Sequence, residues 1–145
     1  MEIRPRSGSR RETVGRVCCM SEAAQNLAVA KRFFDAIETG NVEAIESIYA
    51  PGVAVWHNTD EIETSKGDNL AVLKRMVKYI SDRRYERRRL EAFPGGFVQQ
   101  HVLTGKRRDG VSVRLPACIV CAVSDGKITR LDEYFDSAAA ATFAK

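Results

Sequence analysis

Glu133 and His101 are the residues whose types and positions best suit acid/base chemistry. Each lies in a segment that we interpret as a β-strand, where every second side chain points to the same face. A carboxylate enclosed by apolar side chains has a raised pKa, and a nearby histidine can take or share its proton. We therefore expect Glu133 to act as general base, with His101 as acid or orienting partner. A polar pair that only bridges two strands is the alternative.

The two-residue period of a strand also predicts which side chains share the site with Glu133. In the segment at 53–58, Trp56 and Asn58 fall on one face and His57 on the other, and we place Trp56 on the cavity side. Asn58 then becomes a third catalytic candidate. The predicted cavity has an apolar wall of Trp56, Phe97, Leu103, Leu131 and Phe135, with Asn58, Gln99, His101 and Glu133 as polar groups. Such a composition suits a small hydrophobic molecule.

His57 stands near Asp60, Glu61 and Glu63, which superficially resembles a metal site. Zinc sites gather three or four ligands in fixed geometry, and this segment offers a single histidine, so we expect no metal. The loop at 58–68 is interpreted as a rim from which Asp60 could reach the ligand, a solvated acidic turn being the alternative. The sequence has no glycine-rich phosphate loop, and we expect no cofactor.

Length and composition predict one folded domain at 21–145. The chain has 145 residues, of which 44% are hydrophobic, and a formal net charge of +4. Residues 1–20 are arginine-rich without apolar periodicity, which predicts a disordered tail or a translation start at Met20. The sequence shows no apolar stretch typical of a signal peptide or a membrane span. We therefore predict a cytoplasmic protein without a membrane partner.

Periodicity places three helices ahead of most strands. Apolar residues recur at helical spacing after Ser21, after Asn41 and around Asp68, while Gly40 and Pro51 end the first two patterns. Strand-like segments at 53–58, 84–93, 97–104, 111–123 and 127–135 precede an alanine-rich end that could form a helical flap. Helices on one face of an antiparallel sheet make an α+β fold with a cleft beside the longest helix.

Two segments resemble a known family. Val-Ala-Val-Trp-His-Asn at 53–58 and Asp-Gly-Lys-Ile-Thr-Arg-Leu-Asp-Glu-Tyr-Phe-Asp at 125–136 look like SnoaL-like polyketide cyclases of the nuclear transport factor two-like superfamily. The resemblance implies a cone-shaped (cystatin-like) curved antiparallel sheet packed on three N-terminal helices, the fold of limonene epoxide hydrolases and ketosteroid isomerases. It also implies a homodimer through the outer sheet face, for which Val111, Val113, Ile119 and Cys121 would supply apolar area.

The mechanisms of these relatives do not transfer unchanged. By resemblance, the tyrosine and asparagine of limonene epoxide hydrolases fall on Trp56 and Asn58, and their last aspartate falls on Glu133. Their arginine and other aspartate fall on His101 and Leu103, and leucine cannot accept a proton. The base of ketosteroid isomerases falls on Asn58, whose amide cannot abstract a proton. The resemblance therefore implies a fold and leaves the reaction open.

The most conspicuous charge run is the arginine-rich segment 83–89. On a strand these arginines alternate faces, so a solvated face or a dimer-edge network is expected rather than nucleic-acid binding.

The leading functional prediction is a cofactor-free acid/base enzyme of isomerase, cyclase or hydrolase type that acts on a small hydrophobic molecule. A non-catalytic ligand-binding or accessory protein is the alternative, because the same cavity would serve either role.

Overall fold

The structure, a computed structural model, describes residues 19–144. The predictions made for residues 1–18 lie outside this range. Four helices occur in it: α1 (Glu22–Thr39), α2 (Val42–Ile48), α3 (Lys66–Tyr79) and α4 (Ser137–Ala141). Within residues 19–144 no helix is both long enough and apolar enough to cross a membrane.

Local sequence signals set the ends of these helices. The Ser21 side chain accepts a hydrogen bond from the Ala24 amide at the start of α1, and Asn41 caps α2 in the same way. Gly40 ends α1 with φ of 74°, a left-handed conformation that glycine adopts at low cost. Both caps agree with the sequence analysis, and Ser65 adds an unforeseen cap at the start of α3.

In the part of the chain that the structure describes, six strands form one sheet in the order β2-β1-β6-β5-β4-β3. Their bounds are β1 (Tyr49–His57), β2 (Glu63–Thr64), β3 (Ile80–Phe93), β4 (Gly96–Arg107), β5 (Ser112–Ser124) and β6 (Lys127–Phe135). Strands β3 to β6 form an antiparallel meander, but β1 runs parallel to β6. The sheet is therefore mixed: the antiparallel meander predicted for the last four strands is present, and β1 adds a parallel pair with β6, from which it is separated in the chain by β2, α3 and strands β3 to β5.

The core lies between α1 and the concave face of the sheet, an α+β arrangement. Phe34 is fully buried and packs edge-to-face on Tyr85 and Phe97, with ring centroids 4.9 and 6.2 Å apart. Phe33 contacts Tyr49 of β1 from the same helix. These aromatic contacts fix α1 across three strands, so the far end of the concave face stays open beside α3.

The strand β5 faces the opposite way from the sequence prediction. Val113, Ile119 and Cys121 are at most 3% exposed, so they cannot supply a dimer surface, and Ile119 and Cys121 belong to the hydrophobic core. Val111 is exposed but precedes the strand. The sequence analysis assigned these residues to the wrong face of the strand, because both faces carry apolar residues and alternation does not show which one is buried. Pro116, Val120 and their outward neighbours occupy the outer face instead.

Arg83 is an exception to the predicted solvated basic face. It is only 8% exposed, and its guanidinium donates to the carbonyls of Ile37 at 2.9 Å, Glu38 at 3.3 Å and Val77 at 3.4 Å. It also donates to the Ile80 carbonyl. These acceptors lie at the C-terminal ends of α1 and α3, where helix carbonyls lack intrahelical partners. Arg83 thus joins two helix ends to the sheet.

Candidate functional site

A cavity of about 220 Å³ opens between α1, α3 and the concave face of the sheet. Its wall is largely apolar, with Leu103, Leu131 and Phe135 from the sheet and Phe33 and Met76 from the helices. These three sheet residues are at the cavity that the sequence analysis assigned to them. The polar lining residues are His57, Glu133, Tyr49, Asn69 and Tyr85.

His57 and Glu133 form an ion pair on this wall. Strands β1 and β6 run in parallel with these two residues in register, which brings His57 Nε2 to 3.3 Å from Glu133 Oε2. Their side chains are 23% and 19% exposed, so the pair is shielded but reachable. The hydrogen bond to Glu133 raises the pKa of His57 above its usual value, against the opposing effect of burial. The pair therefore favours a protonated imidazole at His57.

Two tyrosines add hydroxyl groups to the same cavity. The Tyr49 hydroxyl donates to Asn69 Oδ1 at 3.0 Å, whereas no hydrogen bond within residues 19–144 uses the Tyr85 hydroxyl. Burial raises the pKa of both phenols, with a further contribution from the charge of Glu133. Both therefore stay neutral at ordinary pH. Tyr85 can thus donate a hydrogen bond to a ligand that accumulates negative charge.

His101 lies behind the cavity wall rather than in it. Its ring packs edge-to-face on Tyr85 and Phe34, with centroids 4.5 and 5.7 Å away. Burial lowers the pKa of His101 to about 4, so the imidazole is neutral. Glu133 pairs with His57, and the predicted hydrogen-bonded pair of Glu133 with His101 does not form.

A chain of hydrogen bonds fixes the tautomer of His101. Arg88 Nε can only donate, so Gln99 Oε1 accepts from it at 3.0 Å, and the Gln99 amide nitrogen is left to donate to His101 Nδ1 at 3.1 Å. The ring proton then resides on Nε2, a buried atom without a partner among residues 19–144. Gln99 and Phe97 are fully buried beside this chain and do not line the cavity.

Trp56, Asn58 and Asp60 lie away from the cavity. Trp56 packs edge-to-face on the exposed Tyr134, with ring centroids 5.4 Å apart. The side chain of Asn58 forms two hydrogen bonds with the backbone of Phe135: Oδ1 accepts from the amide at 2.9 Å, and Nδ2 donates to the carbonyl at 3.2 Å. Asp60 is exposed and accepts from the Ile62 amide. The face prediction for this strand is wrong: the valines of β1 and His57 point inward, and Trp56 points outward.

Four polar residues of the site escaped the sequence analysis: His57, Tyr49, Tyr85 and Asn69. His57 could have been found, since it is in phase with the β-branched Val53 and Val55. Tyr49 lies at the end of the helical pattern that follows Asn41, and Tyr85 lies within the arginine-rich segment 83–89, so neither was considered as a site residue. Within residues 19–144, no group of three or more His, Cys, Asp or Glu side chains is arranged to hold a metal ion.

Comparisons with known proteins agree on the fold. The model of the SnoaL-like domain family matches residues 30–131, which is more than half of the chain. No curated protein matches the sequence. Among solved structures, a candidate polyketide cyclase from Xanthomonas campestris superposes with a TM-score of 0.74 at 18% identity, covering 86% of this chain and all of that one (100%).

Two further solved structures carry different chemistry in their names. An LEH-like epoxide hydrolase from M. tuberculosis has a TM-score of 0.69 at 17% identity, covering 85% of this chain and 91% of its own. A protein with a ketosteroid isomerase-like fold from Catenulispora acidiphila, in complex with trimethylamine, has a TM-score of 0.67 at 12% identity, covering 77% and 87%. At such identities the similarity establishes the fold alone.

Proposed function

This chain belongs to the SnoaL-like domain family, and we propose that it is a cofactor-free acid/base enzyme acting on a small hydrophobic carbonyl compound. The observation that carries the proposal is the His57–Glu133 pair on the wall of an otherwise apolar cavity. Removing two ionisable groups from water is costly, so a shielded pair of this kind needs a physical reason to be retained. Such pairs in clefts are typical of catalytic sites.

Glu133 is the proposed base. Its carboxylate would accept a proton from the carbon next to the carbonyl group of the ligand, a transfer that a positioned carboxylate accelerates by about 10²–10⁴-fold. His57 is the proposed positioning residue: its Nε2 lies 3.3 Å from Glu133 Oε2 and holds the carboxylate in place before the transfer. This assignment retains Glu133 from the sequence analysis and replaces His101 by His57.

Tyr85 is the proposed donor to the carbonyl oxygen. As the proton leaves carbon, negative charge moves to that oxygen, and a neutral phenol hydrogen-bonds to it more strongly than to the ground-state carbonyl. Where a C=C bond of the ligand is conjugated with the enolate, reprotonation at its far carbon shifts the double bond, which is isomerisation. The enolate carbon can instead attack a second carbonyl in the same molecule, which closes a ring. The apolar wall excludes water that would compete for these hydrogen bonds.

The experiment is a mass-spectrometric screen of purified protein against enones, polyketide-like aldehydes and epoxides. We expect wild type to convert a carbonyl substrate and Glu133→Gln to bind it without turnover. Glu91→Gln is the matched control, because it makes the same change at an exposed position of β3. Turnover that survives in Glu133→Gln would refute the assignment. Binding without turnover by wild type would instead indicate a ligand-binding protein.

A further inference from the structure

A groove of about 580 Å³ adjoins the cavity on the side of α3 and the β4–β5 turn. The two spaces share Val72, Met76 and Phe143 in their linings, so one elongated ligand could occupy both. The cavity alone is smaller than the roughly 300–1,000 Å³ of typical ligand sites. The groove supplies the missing volume, and its lining adds what the cavity lacks: basic side chains.

Arg75, Arg107 and Arg108 line this groove, and Asp109 is the single acidic residue among its described lining. Asp109 already pairs with Arg107, whose other terminal nitrogen donates to the Thr142 carbonyl. The Nε of Arg107 is buried without a partner among residues 19–144. The groove therefore carries an excess of positive charge that its own carboxylate does not neutralise.

Arg108 is held in place for binding. Its Nε donates to the Lys78 carbonyl at 3.2 Å, and its guanidinium lies over the Tyr79 ring at 4.9 Å from the centroid. Its terminal nitrogens have no hydrogen bond within residues 19–144. Arg75 lies exposed on α3 and has no carboxylate within ion-pair distance in the same part of the chain. Two arginines are thus available beside apolar surface.

We propose that the substrate is an amphiphile with an anionic end, a carboxylate or a phosphate, which binds Arg75 and Arg108. Its apolar body crosses Met76 and Phe143 into the cavity, where the carbonyl group meets Glu133. Guanidinium groups bind both anions through paired hydrogen bonds. The position of the reactive carbonyl rests on the proposed function, whereas the binding of the anionic end rests on the groove alone.

The test compares three ten-carbon probes: decanoate, decyl phosphate and decanol. Affinities are measured at low salt by NMR titration of the intact protein. We expect one or both anions to bind wild type about three- to tenfold more tightly than decanol, a range set by partly exposed ion contacts. The anion that binds more tightly relative to decanol identifies the headgroup as a carboxylate or a phosphate. Equal binding of all three probes, or no binding of either anion, would overturn the proposal.

Two double variants locate the effect. Arg75→Gln with Arg108→Gln should abolish the preference for anions and leave the affinity for decanol unchanged, while Arg32→Gln with Arg89→Gln removes the same charge elsewhere and should keep the preference. Thermal melting checks that both fold. A preference that survives the first pair of substitutions refutes the groove as the site. Glu133→Gln should retain the preference, so failure of the catalytic proposal and failure of this one give different results.

Discussion

Arg83→Met is the substitution whose effect on stability follows most directly from the structure. It keeps much of the aliphatic stem and removes the guanidinium, which donates to four carbonyls at the ends of α1 and α3. Burial lowers the pKa of Arg83, yet an arginine stays protonated, so a charged donor is lost from a site only 8% exposed.

The magnitude comes from the carbonyls left behind. A hydrogen bond from a charged donor contributes about 1.5–3 kcal/mol, and some of the freed carbonyls regain water, so we expect a loss of about 2–4 kcal/mol in the free energy of unfolding. For a chain of this size that corresponds to a fall in Tm of about 5–15 °C. Arg83→Lys keeps the charge but cannot reach all acceptors, and should lose about half as much.

Urea denaturation followed by circular dichroism measures these differences. Arg89→Met is the matched control, because Arg89 is exposed on the same strand, and its effect should stay within about 0.5 kcal/mol. An Arg83→Met protein as stable as the Arg89→Met protein would refute the idea that this guanidinium joins the two helix ends.

Three further predictions concern the site and the sheet. The two histidines should titrate apart in NMR spectra, His57 above 6.5 and His101 at about 4, and Glu133→Gln should lower the pKa of His57; coincident titrations would contradict the described pairing. Because the pKa of His57 is higher in the folded protein than in the unfolded chain, the stabilisation from the His57–Glu133 pair should be complete below about pH 6.5. It should be lost as the pH rises through the pKa that His57 has in the folded protein, and His57→Gln should not show this dependence of stability on pH. If the outer face of the sheet forms a homodimer, Val120→Arg should give monomers in light scattering at concentrations where wild type is dimeric, and an unchanged mass would exclude that interface.

Much of the fold was readable from the sequence because its signals are local. Ser21 and Asn41 predicted the starts of two helices, because their side chains can accept a hydrogen bond from a backbone amide. The last strand was predicted at 127–135, and the structure has the same bounds. The direction of β1 was not readable. Its pairing with β6 depends on contacts between segments far apart in the chain, which no local pattern records.

The sequence predicted only part of the site, again because local patterns do not record contacts between distant segments. Glu133 shares one face of its strand with the apolar residues Leu131 and Phe135, and the two-residue period placed all three at the cavity. In β1 both faces carry apolar residues, so the sequence did not show which face points inward. We placed Trp56 inside, whereas its neighbour His57 lies there. His101 has the right residue type, but Tyr85 stands between it and the cavity, and only the three-dimensional arrangement shows that.

The most direct test of the central claim is exchange of the α-protons of a hydrophobic ketone in deuterated water, followed by NMR with wild type, Glu133→Gln and Glu91→Gln. A base that abstracts these protons introduces deuterium, even where no further reaction occurs, whenever the transferred proton exchanges with the solvent before it returns to carbon. We predict exchange above the buffer rate for wild type and Glu91→Gln, and a fall of at least about 10²-fold for Glu133→Gln. Exchange by Glu133→Gln at the wild-type rate would contradict the assignment of Glu133 as the base.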